Sequence, residues 1–140
     1  MNASEQYLAS SVLTASPEQL QLMLYDGAIR FAQQAREALQ NKDWETCCEK
    51  LIRAQRIINE MQNGLRPEVN PSLCEQLSAL YNFIFRRLVD ANISHRVEPL
   101  DEALQILRHQ RETWVLLLEK ISGLGRESSQ EPVESLSLQG

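Results

Sequence analysis

Cysteine, glycine, proline and aromatic side chains are all scarce in this chain of 140 residues, which has three Cys, five Gly, five Pro, two Trp, three Tyr and three Phe. Three cysteines are too few for a disulfide framework. Two of them, Cys47 and Cys48, are adjacent, and on a helix they would point about 100° apart, which suits reduced thiols filling small gaps. A metal or redox site would need histidine or further cysteine at ligand spacing, and His95 and His109 stand far off. With so little glycine there is no phosphate-cradling loop. No apolar run approaches the roughly 20 residues that span a bilayer. Positive charge is also short, at a formal net charge of −5. That argues against a nucleic-acid binder and against electrostatic anchoring to anionic lipid. The opening MNASEQYLASS has no basic leader followed by an apolar core, so a cytoplasmic location is the expectation.

What is present is helical periodicity. At 43% hydrophobic and 24% charged residues the composition supports one domain with a real core. A first helix is expected from Pro17 to about Gln40, with Ser16 as N-cap, Pro17 as first helical residue and Gln19 completing a capping box. A second begins after Asp43 and carries Trp44, Cys47, Cys48, Leu51, Ile52, Ala54, Ile58, Met61 and Leu65 near a seven-residue repeat, with Gly64 as its stop. A third starts at Asn70-Pro71 and runs to about Ala91, its face made of Leu73, Cys74, Leu77, Leu80, Tyr81, Ile84, Leu88 and Ala91, with Asn92 expected in the left-handed conformation that ends it. A fourth opens near Pro99 and shows Leu100, Leu104, Leu107, Arg111, Trp114, Leu117, Leu118 and Ile121. No stretch alternates as a strand does. Short connections between long helices predict an all-α, antiparallel four-helix bundle over residues 16–121. Residues 1–15 are expected as an N-terminal arm or additional short helix, and residues 122–140 as a disordered acidic tail.

The first helix holds more apolar surface than one packing face uses. Leu20, Leu24, Gly27, Phe31, Ala35 and Ala38 make one stripe, and Leu22, Tyr25, Ile29 and Ala32 make a second. The second stripe either packs on further helices or forms a groove for a partner's helix. Gly27 costs about 1 kcal/mol against alanine in a helix interior, so another backbone is expected close by.

Catalytic patterns are missing. No Glu-x-x-His pair is present for a di-metal bundle, and no serine or cysteine has a nucleophile's local signature. Arg86, Arg87, Arg108 and Arg111 are expected to lie over apolar surface or pair with acids, with Arg111, on the apolar stripe, meeting an acid or a carbonyl. Trp44 and Trp114 are expected as core anchors at helix ends. Tyr81 lies on the core stripe of the third helix; Phe83 and Phe85 point elsewhere.

The run LTASPEQLQLMLYDGAIRF, from Leu13 to Phe31, together with Leu80-Tyr81, Leu88 through Ala91-Asn92, and Trp114, resembles the flagellin export chaperone family, the FliS type. The likeness covers roughly residues 7 to 121. It implies a cytoplasmic helical bundle without enzymatic activity or cofactor. It further implies binding of the disordered C-terminal segment of flagellin, protection from premature polymerisation, and delivery to the flagellar export apparatus. Carried onto this sequence, the resemblance makes Leu22, Tyr25 and Ile29 candidate flagellin-binding residues. It makes Tyr7, with Leu8 and Val12, a candidate N-terminal plug over the client surface. A regulatory adaptor of flagellar assembly that uses the same bundle for another partner is the alternative. One departure is the connection GLRPEVNPS, stiffened by two prolines where the family often has glycines with acidic residues.

Overall fold

A computed structural model describes residues 2–6 and 14–130, with side chains through Gly123. Four long helices follow one another: α1 Pro17–Gln40, α2 Trp44–Asn63, α3 Pro71–Ser94 and α4 Val97–Gln130. Ahead of them, residues 3–6 form a helical turn that Asn2 caps by accepting from the Glu5 N–H at 2.8 Å. Tyr7, Leu8 and Val12 lie outside the described residues.

The helix starts follow local chemistry. The Ser16 hydroxyl accepts from the Gln19 N–H at 3.2 Å while Gln19 Oε1 accepts from the Ser16 N–H at 3.1 Å. Asp43 and Asn70 cap α2 and α3 in the same sense, accepting from the N–H of Thr46 and Leu73. Replacing Ser16 with alanine is expected to cost about 1 kcal/mol, read as a lower urea midpoint with an unchanged slope.

The helix ends differ from expectation in two places. Asn92 stays helical, its side-chain amide donating to Cys48 Sγ at 3.5 Å, and α3 ends instead at His95, whose φ of 56° is left-handed. At the C-terminal side, α4 continues past residue 121 to Gln130, into the segment expected to be disordered. Extending a nucleated helix adds one hydrogen bond per residue fixed, so serine and glycine there weaken the helix without stopping it. The rest of that segment, 131–140, lies outside the described residues.

α1 packs on α2 and α4, and α3 packs on the same two, so the helices close a ring with α1 diagonal to α3. Cross-helix contacts give the direction of each pair. Arg36 meets Asp101 and Asp26 meets Arg111. Asn92 meets Cys48 and Gln62 meets Ser78. In both pairs one chain climbs as the other descends, which is the antiparallel arrangement that short loops require. The core is filled by Leu51, Ile58, Met61, Tyr81, Ile84, Leu88, Leu100 and Leu107.

α1 contributes mainly small side chains, with Ala28, Ala32 and Ala35 fully buried beside Tyr25 and Leu39. Neither expected stripe is the core face; the core face runs between them. Large residues dominate a periodicity count, but alanine lets helix axes approach closely, so the centre of the bundle takes the small face.

Candidate functional site

Three consecutive residues of the motif in α1 fasten that helix to each of the other three. Tyr25 is 2% exposed, and its hydroxyl meets that of Tyr81 on α3 at 3.2 Å, with Gln21 Nε2 donating to Tyr81 at 3.3 Å. Burial, then the Tyr25 hydrogen bond, pushes the Tyr81 phenol far above its ordinary value, so that phenol stays protonated. Asp26 accepts from Arg111 Nε on α4, so the arginine on the apolar stripe meets an acid. Gly27 faces α2, and a Cβ there would stand 3.0 Å from Ile57 Cδ1. The close neighbour is thus a side-chain methyl, not the backbone that the glycine suggested. Because that methyl can swing, Gly27→Ala is expected to leave the melting temperature within a few degrees, crowding offsetting the gain of about 1 kcal/mol in helix propensity. Gly27→Val should lower it clearly.

The three flagellin-binding candidates therefore separate. Tyr25 is a core residue, unavailable at the surface. Leu22 and Ile29 are half-buried and share a face with Asp26 and Arg36, the residues that bind α4, so they line the α1/α4 seam. Ile29 packs against the core.

The aromatic anchors also divide. Trp114 packs against the core and its Nε1 donates to the Glu18 carbonyl at 2.8 Å, pinning α4 to the first turn of α1. Trp44 is 41% exposed and is no core anchor. As the first residue of α2 it sits at the bundle's end and stacks on His95, ring centroids 4.2 Å apart. Cys47 is buried, which pushes its thiol up, while Cys48 and Cys74 are half-exposed and all three are free. A thiol-specific reagent is expected to leave Cys47 unlabelled until the bundle unfolds.

Part of the apolar surface that no helix covers lies at the α3/α4 seam. Leu73, Leu80, Phe83 and Arg87 recur on one face of α3. Arg87 faces Glu102 of α4 at 3.6 Å and covers the Phe83 ring at 5.7 Å, which turns that face towards α4. On α4, Ile106 and Leu117 recur on the face of Glu102, whereas Ile121, beyond the start of α3, lies beside Ser16 and Gln19 at the start of α1. In antiparallel register Leu73 lies about four turns from Arg87, and Leu117 about four turns from Glu102, so the two come opposite. Leu73, Phe83, Leu117 and Ile121 are 48%, 43%, 42% and 49% exposed. Leu80 and Ile106 are half-buried and form the floor. Periodicity had put Leu73, Leu117 and Ile121 in the core. They are bared because the core is centred on other positions of both helices.

A family model described as "Flagellar protein FliS" matches residues 1–120. The chain belongs to the FliS family. It is 38% identical over 108 residues to the flagellar secretion chaperone FliS of Bacillus subtilis (strain 168), covering 77% of this chain and 80% of that one. To the flagellar secretion chaperone FliS of Salmonella typhimurium it is 35% identical over 114 residues, covering 81% and 84%. A solved crystal structure of a flagellar chaperone from bacteria has the same fold, with a TM-score of 0.70 at 22% identity, over 84% of this chain and 96% of that one. FliS proteins are flagellar secretion chaperones and not enzymes, so this FliS-family chain acts in flagellar export on a protein client. No helix among the described residues is long and apolar enough to cross a membrane.

Ion pairs on the remaining faces hold the bundle together. Arg36 Nε donates to Asp101 at 2.6 Å, and that hydrogen bond holds the Asp101 carboxyl below its ordinary range. Asp43 is lowered by its hydrogen bonds from Thr46. A carboxylate whose folded pKa is depressed stabilises above its unfolded value and loses that contribution as pH falls through the folded one. Acid should therefore destabilise the bundle below about pH 4. An Asp101→Asn variant is expected to show a shallower decline in melting temperature over that window.

Proposed function

We propose that this chain is a cytoplasmic export chaperone that binds the disordered C-terminal segment of flagellin along the α3/α4 seam. There it keeps the segment from polymerising and hands it to the flagellar export apparatus. The exposed apolar strip of Leu73, Phe83 and Leu117 carries this reading, since a chain in water leaves such a strip bare when a partner covers it. An amphipathic partner helix laid on it would gain roughly 1.5–3 kcal/mol per large aliphatic side chain, offset in part by ordering the partner. Leu22 and Ile29 extend the contact along the α1/α4 seam. Residues 1–13, with Tyr7, Leu8 and Val12, plug the client surface in the free protein, so deleting them should tighten client binding; unchanged affinity would remove the plug.

The test is a calorimetric titration of the full chain with the C-terminal segment of flagellin from the same source. Saturable binding with a markedly negative heat-capacity change is expected, the signature of folding onto an apolar surface. A folded sample giving neither heat nor complex would favour an adaptor with another partner.

A further inference from the structure

The α1/α2 seam carries a second feature, unlike the apolar strip. The half-buried Phe31 ring is approached by Arg30 at 5.1 Å, Arg53 at 5.7 Å and Lys50 at 5.8 Å. An aromatic face attracts one cation, but cations crowded on the same ring repel one another. Only Arg53 has local compensation, from Glu49 at 3.3 Å. Among the described residues Arg30 and Lys50 have no carboxylate within ion-pair distance. In a chain of net charge −5 this is a local excess of the minority charge around an apolar floor. The floor continues along the seam through Gly27, Leu24 and Ile57. In the ring of helices this seam is opposite α3/α4.

We propose that the α1/α2 seam docks an acidic amphipathic segment of a second protein, with carboxylates on Arg30 and Lys50 and an apolar side chain against Phe31. The site is separate from the client strip, so one chaperone holds both partners at once. Charge complementarity favours protein carboxylates: the overall negative field repels a polyanion long enough to reach beyond the patch, whereas a short acidic segment meets only the local positive charge.

The test is a backbone-amide NMR titration of the full chain with a synthetic peptide carrying Glu and Leu at helical spacing, run at low and physiological salt. Shifts confined to residues around Arg30, Phe31, Lys50 and Arg53 are expected, weakening with salt. An Arg30→Gln, Lys50→Gln variant should bind the peptide about tenfold more weakly, with unchanged melting and unchanged affinity for the flagellin segment. Phe31→Leu should keep the fold and weaken the peptide without changing the salt dependence. Absence of shifts at the seam, or peptide affinity unaltered in the charge variant, overturns the proposal. So does competition between the peptide and the flagellin segment, which would make both seams one client site. Tighter binding of single-stranded DNA than of the peptide would reassign the patch to phosphate. Peptide binding that strengthens when residues 131–140 are removed would make that acidic segment the natural occupant and end the case for a second protein.

Discussion

A Leu73→Asp, Leu117→Asp variant is expected to bind the flagellin segment at least 100-fold more weakly while melting within a few degrees of the parent. Both side chains are nearly half-exposed in the free protein, so charging them leaves the bundle's own core untouched. In a complex each would lose roughly 1.5–3 kcal/mol of apolar burial, and the pair about 3–6 kcal/mol, which corresponds to factors of about 10² to 10⁴ in Kd. The measurement is the same calorimetric titration, with circular dichroism as the check on folding. Parent-like affinity would move the client away from the α3/α4 seam. The half-buried Leu22 and Ile29 would then be the next positions to charge.

Tyr25→Asp is expected to have the opposite profile, with the fold lost first. Its side chain is 2% exposed, and a carboxylate there faces the neutral Tyr81 hydroxyl. Burying an uncompensated charge exceeds about 4 kcal/mol, against a total stability of about 5–15 kcal/mol for a domain. The melting temperature should fall by more than about 10 °C, if a cooperative transition survives at all. Tyr25→Phe removes one hydrogen bond and should cost about 1 kcal/mol. Normal melting in Tyr25→Asp with binding abolished would return this residue to the client surface. The two experiments together separate the motif that builds the bundle from the strip that uses it.

The same contrast marks what could be read before the fold was seen. Helix starts were legible because capping is local: Ser16, Asp43 and Asn70 each serve an N–H three residues away. The all-α bundle followed from periodicity and short connections, and the family likeness from a run of residues around Tyr25. Helix ends were less legible, since an end depends on what else a side chain can reach. Asn92 was free to terminate α3 on paper, but in the fold its amide meets Cys48 and the turn passes to His95.

The division of apolar residues between core and surface was decided by tertiary structure alone. Periodicity places a residue on a helix face, but it does not say how far that face is rotated from the bundle axis or how far one helix outruns its neighbours. For this reason Leu73 and Leu117 read as core and stand half-bare, while Tyr25, on a stripe that could equally pack or form a groove, is buried. The crowding of Arg30, Lys50 and Arg53 around Phe31 likewise exists only once α1 and α2 are side by side. By itself the sequence determined which segments are helical, where they start, and that they pack as a bundle, because those depend on spacing within a turn or two. The surfaces left for partners depend on helix rotation and register, which are set by packing between residues far apart in the chain.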